Sequence, residues 1–174
     1  MGFRDMTVDD VCTEASLSKG AFYGYFAQKR DLLVALLEDD GQRLDELMDE
    51  LENRIVRSSD RLRDYARASL ARSEEPGRVQ VRADMWTTML TEAEVREAFA
   101  TSVQARRARL RTWVENAVAA GELEDIPPNA FASILLALGD GLLLHGSLDL
   151  SAFRWVNIGK VLDLLLQGVS RSPT

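Results

Sequence analysis

From Leu33 to Ile55 the apolar residues return every three or four positions: Leu33, Leu36, Leu37, Leu44, Leu47, Met48, Leu51 and Ile55. Acidic residues fill the positions between, so one stripe is apolar and the opposite face solvated, as in a long amphipathic helix. The spacing predicts a helix over about Lys29–Arg57. Similar spacing recurs along most of the chain, whereas period-two alternation bounded by turn dipeptides does not appear. The expected fold class is therefore all-α. Gly41 falls inside the long helix, where glycine costs about 1 kcal/mol relative to alanine. It reads either as a bend or as a tolerated exposed glycine.

Ahead of this helix are two short ones. Thr7 is a suitable N-cap, with Asp9 and Asp10 in the first turn where the helix dipole favours acids. That helix should run to about Ala15, Ser16-Leu17-Ser18 should turn, and Ser18 should cap a second helix through about Gly24 or Tyr25. Two short helices about three residues apart form a helix-turn-helix pattern. Downstream, Ser58-Ser59 interrupts and a helix is expected over about Asp60–Arg72. A break at Ser73-Glu-Glu-Pro-Gly77 and a helix to about Leu90 come next. Thr91-Glu-Ala-Glu94 has capping-box spacing and should open a helix to about Ala120, stopped by Gly121. Pro127-Pro128 suits the start of a helix ending near Gly146, and Ser151 should cap the last, to about Val169.

Composition narrows the function classes. One cysteine, Cys12, and one histidine, His145, exclude a disulfide framework and a Cys-rich zinc site. No metal-ligand cluster, glycine-rich phosphate loop or nucleophile with a base is visible, so neither an enzyme nor a cofactor is expected. The chain carries a net charge of −7, which argues against a protein that simply coats nucleic acid. The start lacks an apolar signal core and no 18-residue apolar run occurs, so a soluble cytoplasmic location with no membrane contact is expected.

The stretch FASILLALGDGLLLHG, residues 131–146, is apolar nearly all round. Such a helix is buried on every side. One face is expected on the core and the other against a second subunit, joined by the last helix with Phe153, Val156, Val161, Leu162, Leu164, Leu165 and Leu166. Two such helices per chain suit a four-helix interface about a two-fold axis. The expected interface residues are Leu135, Leu138, Leu142, His145, Trp155, Leu162, Leu165 and Leu166.

The second short helix, Ser18-Lys-Gly-Ala-Phe-Tyr-Gly-Tyr-Phe26, is unusual, with four aromatic residues close together, a lysine and two glycines. With its surroundings it resembles the N-terminal segment of TetR-family transcriptional regulators. The matching residues are Gly2-Phe3, Thr7-Val8, Val11, Ala15, Leu17-Ser18, Gly20, Phe22-Tyr23, Tyr25-Phe26, Lys29 and Leu32. Ser16 stands where the family usually has glycine, and Gly24 where it usually has a bulky aromatic. The family also has a helix of a dozen or more residues before Gly-Phe. This chain begins at Met1, so the DNA-binding domain is expected to be incomplete and DNA binding weak.

The resemblance implies a helix-turn-helix DNA-binding domain over 1–40 and a larger helical effector-binding and dimerisation domain over 41–174. It implies a repressor that binds a palindromic double-stranded operator as a homodimer and is released by a small hydrophobic or amphipathic effector. A dimeric small-molecule-binding module that no longer binds DNA is the alternative. DNA contacts are expected from Thr7, Ser18, Lys19, Gly20, Ala21, Tyr23, Gly24, Tyr25 and Lys29, with Phe22 and Phe26 turned inward. Met85, Trp86, Met89, Leu90, Phe99, Trp113, Phe131 and Asp140 would line the effector pocket. The run Arg106-Arg107-Ala-Arg109-Leu-Arg111 reads as a solvated basic face, or else as an attractor for an anionic ligand. Residues 1–40 carry four basic against eight acidic residues, an unfavourable balance for phosphate contact.

Overall fold

The computed structural model describes residues 6–71, 86–148 and 154–170. The expected break at Ser73–Gly77, Met85, the Ser151 cap and Phe153 lie outside them. Among the described residues, eight helices follow one another: α1 (Val8–Glu14), α2 (Lys19–Tyr25), α3 (Lys29–Arg54), α4 (Ser58–Ala71), α5 (residues 86–91), α6 (Ala93–Ala119), α7 (Pro128–Leu148) and α8 (Trp155–Gly168). No strand occurs among the described residues; one isolated bridge, Leu123 to Ser170, ties the loop after α6 to the end of α8.

The helix ends follow from local chemistry. Thr7 caps α1 in a reciprocal box: its Oγ1 accepts from the Asp10 N–H at 3.2 Å, and the Asp10 carboxylate accepts from the Thr7 N–H at 2.7 Å. The Thr7 hydroxyl, which donates to the Asp10 carboxylate at 2.7 Å, and the Thr7 N–H hold that carboxyl below its ordinary range. Both α1 and α6 stop in a Schellman turn. After α6, the Gly121 N–H reaches Val118 O and the Glu122 N–H reaches Ala117 O, with Gly121 at φ +70°. After α1, the Ser16 N–H reaches Thr13 O and the Leu17 N–H reaches Cys12 O, but the left-handed residue is Ser16, at φ +55°. A Cβ in that region costs roughly 1 kcal/mol.

Glu92, not Thr91, is the N-cap of α6; the Thr91 hydroxyl donates back to Thr88 O at 3.1 Å and so belongs to α5. α4 begins two residues earlier than expected, because Glu122 arrives from the α6–α7 loop and accepts the Ser59 N–H at 2.9 Å. That carboxylate is partly buried, which would raise its pKa, yet the Ser59 bonds and the Arg57 charge hold it below the ordinary range.

α6 is the central helix, packing on α3, α4 and α7. Leu44, Met48, Leu51, Leu62, Tyr65, Leu110, Trp113, Val114 and Leu162 fill the main core, with Tyr65 edge-on to Trp113 at 6.2 Å. A second cluster, Leu33, Leu37, Met89 and Val95, joins the upper part of α3 to α5 and α6. Gly41 is buried rather than exposed: a Cβ built there would lie 2.7 Å from Ser102 Oγ, so glycine leaves room for the Ser102 hydroxyl where α3 crosses α6. The arginine run does not form a solvated face. Arg106 is buried and donates to Ser102 Oγ at 2.7 Å, while Arg109 reaches Asp49 at 2.7 Å and Glu52 at 3.0 Å. Helical spacing points both residues into the α3–α6 seam.

By length and composition α7 would pass for a membrane-crossing helix, with a mean hydropathy of 1.3 over Pro128–Gly146. Asp140 and the glycines nonetheless interrupt any continuous apolar run. In the fold, α7 lies against α6 and α4.

Candidate nucleic-acid interface and effector cavity

α2 presents the residue types expected of a reading helix. Ser18 caps it, its Oγ accepting from the Ala21 N–H at 3.0 Å. Phe22 is buried and Phe26 half-buried, their rings 5.4 Å apart, so the helix is pinned from its inner face. Tyr23 and Tyr25 are turned outward, at 55% and 85% exposure. A Cβ at Gly20 would meet only Ser18 Oγ at 3.7 Å, and one at Gly24 nothing within 4 Å. Internal packing therefore demands neither glycine.

Among the described residues, the cations of this region are engaged within the protein. Lys19 Nζ lies 2.7 Å from Asp9 Oδ1, an exposed bridge from α2 to α1 that raises the ammonium above the ordinary lysine range. Lys29 Nζ donates to Met6 O at 2.7 Å, tying the segment before α1 to the head of α3. Arg30 reaches Glu92 at 3.1 Å and Glu94 at 2.7 Å, tying α3 to the α5–α6 junction. The Thr7 hydroxyl is taken up by Asp10, to which it donates at 2.7 Å.

In the helical bundle, α3, α4, α6, α7 and α8 line a partly open cavity of about 80 Å³. Leucines dominate its wall, among them Leu44, Leu70, Leu135 and Leu162, and Tyr65, Asp40, Arg106 and Asp140 supply polar groups. This is the composition of a small-molecule site, apolar with a few polar groups. Asp140 is the one described residue of the expected pocket set that lines it. Trp86, Met89 and Phe99 lie in the upper cluster, Trp113 and Phe131 belong to the main core, and Leu90 is 73% exposed. Sequence reasoning missed Leu44, Tyr65 and Val103, whose place follows from how α3, α4 and α6 cross.

Of the expected interface residues, Leu135, Leu162 and Leu166 are buried in the core, Leu138, Leu142 and Trp155 pack against it, and His145 and Leu165 face outward. The outward apolar residues of α7 and α8 are Ile134, Leu144, Leu148, Val156, Val161, Leu164 and Leu165. Leu165 is among the expected interface residues; Val161 and Leu164, which share its face by helical spacing, are not.

Two family models match the sequence: bacterial regulatory proteins of the tetR family over residues 1–36, and the C-terminal domain of BetI-type transcriptional repressors over residues 58–162. No curated protein matches. Among solved structures, the TetR regulatory protein of Rhodobacter sphaeroides is 25% identical, with a TM-score of 0.75, over 85% of this chain and 81% of that one. Escherichia coli NemR in its reduced form is 23% identical, with a TM-score of 0.76, over 99% and 90%. A transcriptional regulator from Saccharomonospora viridis, solved in complex with choline, is 18% identical, with a TM-score of 0.84, over 98% and 90%. The two family models together span most of the chain and agree with the helix-turn-helix and the helical bundle behind it, so the chain belongs to the TetR family of transcriptional regulators, which are DNA-binding proteins and not enzymes.

Proposed function

We propose that this regulator is a cytoplasmic repressor that binds a palindromic operator as a homodimer and lets go when a small amphipathic effector fills the cavity. The observation that carries this reading is the continuity of α3. Lys29 and Arg30 at its head adjoin the reading helix, while Asp40 and Leu44 in its middle line the cavity. It crosses the domain boundary proposed at residues 40/41 without a break. An effector that displaces α3 from α6 therefore tilts the reading helix. Two reading helices must sit about 34–36 Å apart to meet successive major grooves, so a tilt changes the fit. The effector has to favour the DNA-incompetent state for release to occur.

DNA contact is assigned to Ser18, Lys19, Gly20, Ala21, Tyr23, Gly24 and Tyr25, with Thr7 and Lys29 at the edges. The outward apolar faces of α7 and α8 are assigned to the homodimer. The cavity's leucines, with Tyr65, Asp40, Asp140 and Arg106 as its polar groups, suit a small amphipathic molecule with a charged or polar end. Choline in the Saccharomonospora neighbour supports that effector class. Anisotropy titration of duplexes tiled upstream of the gene, at low salt, tests the reading. Saturable binding to one palindromic duplex is expected, reversed by a quaternary ammonium or similar amphipathic compound. Failure of every duplex to bind would sink it.

A further inference from the structure

Lys19 is the only cation between Met6 and Gln28, a stretch that also holds Asp9, Asp10 and Glu14. It is the first residue of α2, where a side chain enters the major groove or meets the flanking phosphate. Asp9, on α1, holds its ammonium at 2.7 Å, and both side chains are more than half exposed. The next cations along the chain have protein partners too, Lys29 at Met6 O and Arg30 at Glu92 and Glu94. Non-specific DNA affinity comes from phosphate neutralisation by such cations. A reading helix whose one cation, Lys19, is matched by a carboxylate offers little of it.

We propose that Asp9 is a positioning residue that gates Lys19, suppressing non-specific DNA binding until an operator acceptor replaces the carboxylate. A lone phosphate competes poorly with a carboxylate already in contact. A guanine edge, with O6 and N7 held in fixed geometry by the rest of the docked helix, competes better. Because a genome offers a vast excess of non-specific sites, weakening those contacts improves occupancy of the operator. Lys19 thus contributes most of its charge at the correct sequence.

This inference rests on the DNA-binding role of the helix-turn-helix. The test uses a fluorescein-labelled mixed-sequence duplex, so it needs no operator. Asp9→Asn should bind that duplex about two- to five-fold more tightly than wild type at low salt, the range open to an exposed pair. The log–log salt slope should steepen by about 0.9, one further phosphate neutralised. Asp9→Glu, which keeps the charge, should stay near wild type. In a Lys19→Met background Asp9→Asn should change nothing; an equal gain there means a general field effect and overturns the gate. Wild-type binding with no gain in Asp9→Asn overturns the gate alone. No duplex binding by either protein overturns the gate and the DNA-binding reading together. Lysine side-chain NMR provides a readout without DNA: the Lys19 ammonium should titrate higher in wild type than in Asp9→Asn, and equal titration overturns the pair itself.

Discussion

Gly41→Ala should destabilise this protein, although the same exchange inside an exposed helix stabilises by about 1 kcal/mol. The new Cβ would stand 2.7 Å from Ser102 Oγ, while Ser102 Cβ at 3.8 Å is an ordinary contact. The clash is therefore with one hydroxyl, which a rotation about χ1 would remove. That rotation breaks the bond from Arg106 Nη1 to Ser102 Oγ at 2.7 Å, and Arg106 is only 4% exposed. A hydrogen bond to a charged group is worth about 1.5–3 kcal/mol, and overpacking costs are of similar size. Subtracting the helix-propensity gain of about 1 kcal/mol leaves a net loss of about 0.5–2 kcal/mol. Urea denaturation should show it as a lower midpoint with an unchanged m-value. Ser102→Ala supplies the internal check. With the hydroxyl gone, the methyl of Gly41→Ala meets only ordinary contacts, so in that background the exchange should stabilise by up to about 1 kcal/mol. A stabilising Gly41→Ala in the wild-type background would refute the reasoning.

Ser16→Gly should relieve the left-handed residue at φ +55°, raising stability by about 0.5–1 kcal/mol after allowing for glycine's freedom in the unfolded chain. Thermal denaturation should register it as a rise of about 1–4 °C. Glu122→Gln should cost about 1 kcal/mol at neutral pH by weakening the acceptor for Ser59. Since the Glu122 carboxyl titrates below its reference value of 4.5 when folded, its contribution is complete above that pH and lost as pH falls through the folded value. The gap between wild type and Glu122→Gln in urea midpoint should accordingly close below about pH 4.5. Val161→Glu and Leu165→Glu, at positions 56% and 60% exposed, should leave the monomer fold intact and abolish the proposed dimer in sedimentation equilibrium.

Several helices were legible because they carry their own boundary chemistry: Thr7 and Ser18 as caps, Gly121 as stop, Pro128 at a start. The reading head was legible for the same reason, since its residues lie within one short stretch. Ser16 in the left-handed region agrees with the glycine that the family usually has there. Features that depend on how distant helices cross were not legible. Gly41 is buried only because Ser102, 61 residues away, sits opposite it, and nothing local in the sequence reveals that pairing. The cavity set failed likewise: Trp86 and Phe99 form their own edge-on pair at 5.6 Å instead of facing Asp140's cavity. Thr91 shows the opposite error, a local pattern displaced when its hydroxyl turned back to α5.

The clamp between the reading head and the bundle has two parts of unequal strength. Arg30 makes two ion pairs, to Glu92 and Glu94, but its side chain is 34% exposed and Glu94's 63%. Such pairs contribute about 0–1 kcal/mol each, less at high salt. Beneath them Leu33 and Val95 are fully buried, and Leu37 and Met89 nearly so. Burial of side chains this size is worth about 1.5–3 kcal/mol apiece. Allosteric coupling in proteins typically amounts to about 1–3 kcal/mol, more than two exposed ion pairs can be relied on to transmit. The apolar seam is thus the part able to move α3 and the α5–α6 junction as one body. The ion pairs fix its rotational register, since Arg30 reaches two carboxylates that flank the start of α6. On this division, high salt should loosen the register and leave the mechanical link intact, so an effector bound in the cavity would still reach the reading helix.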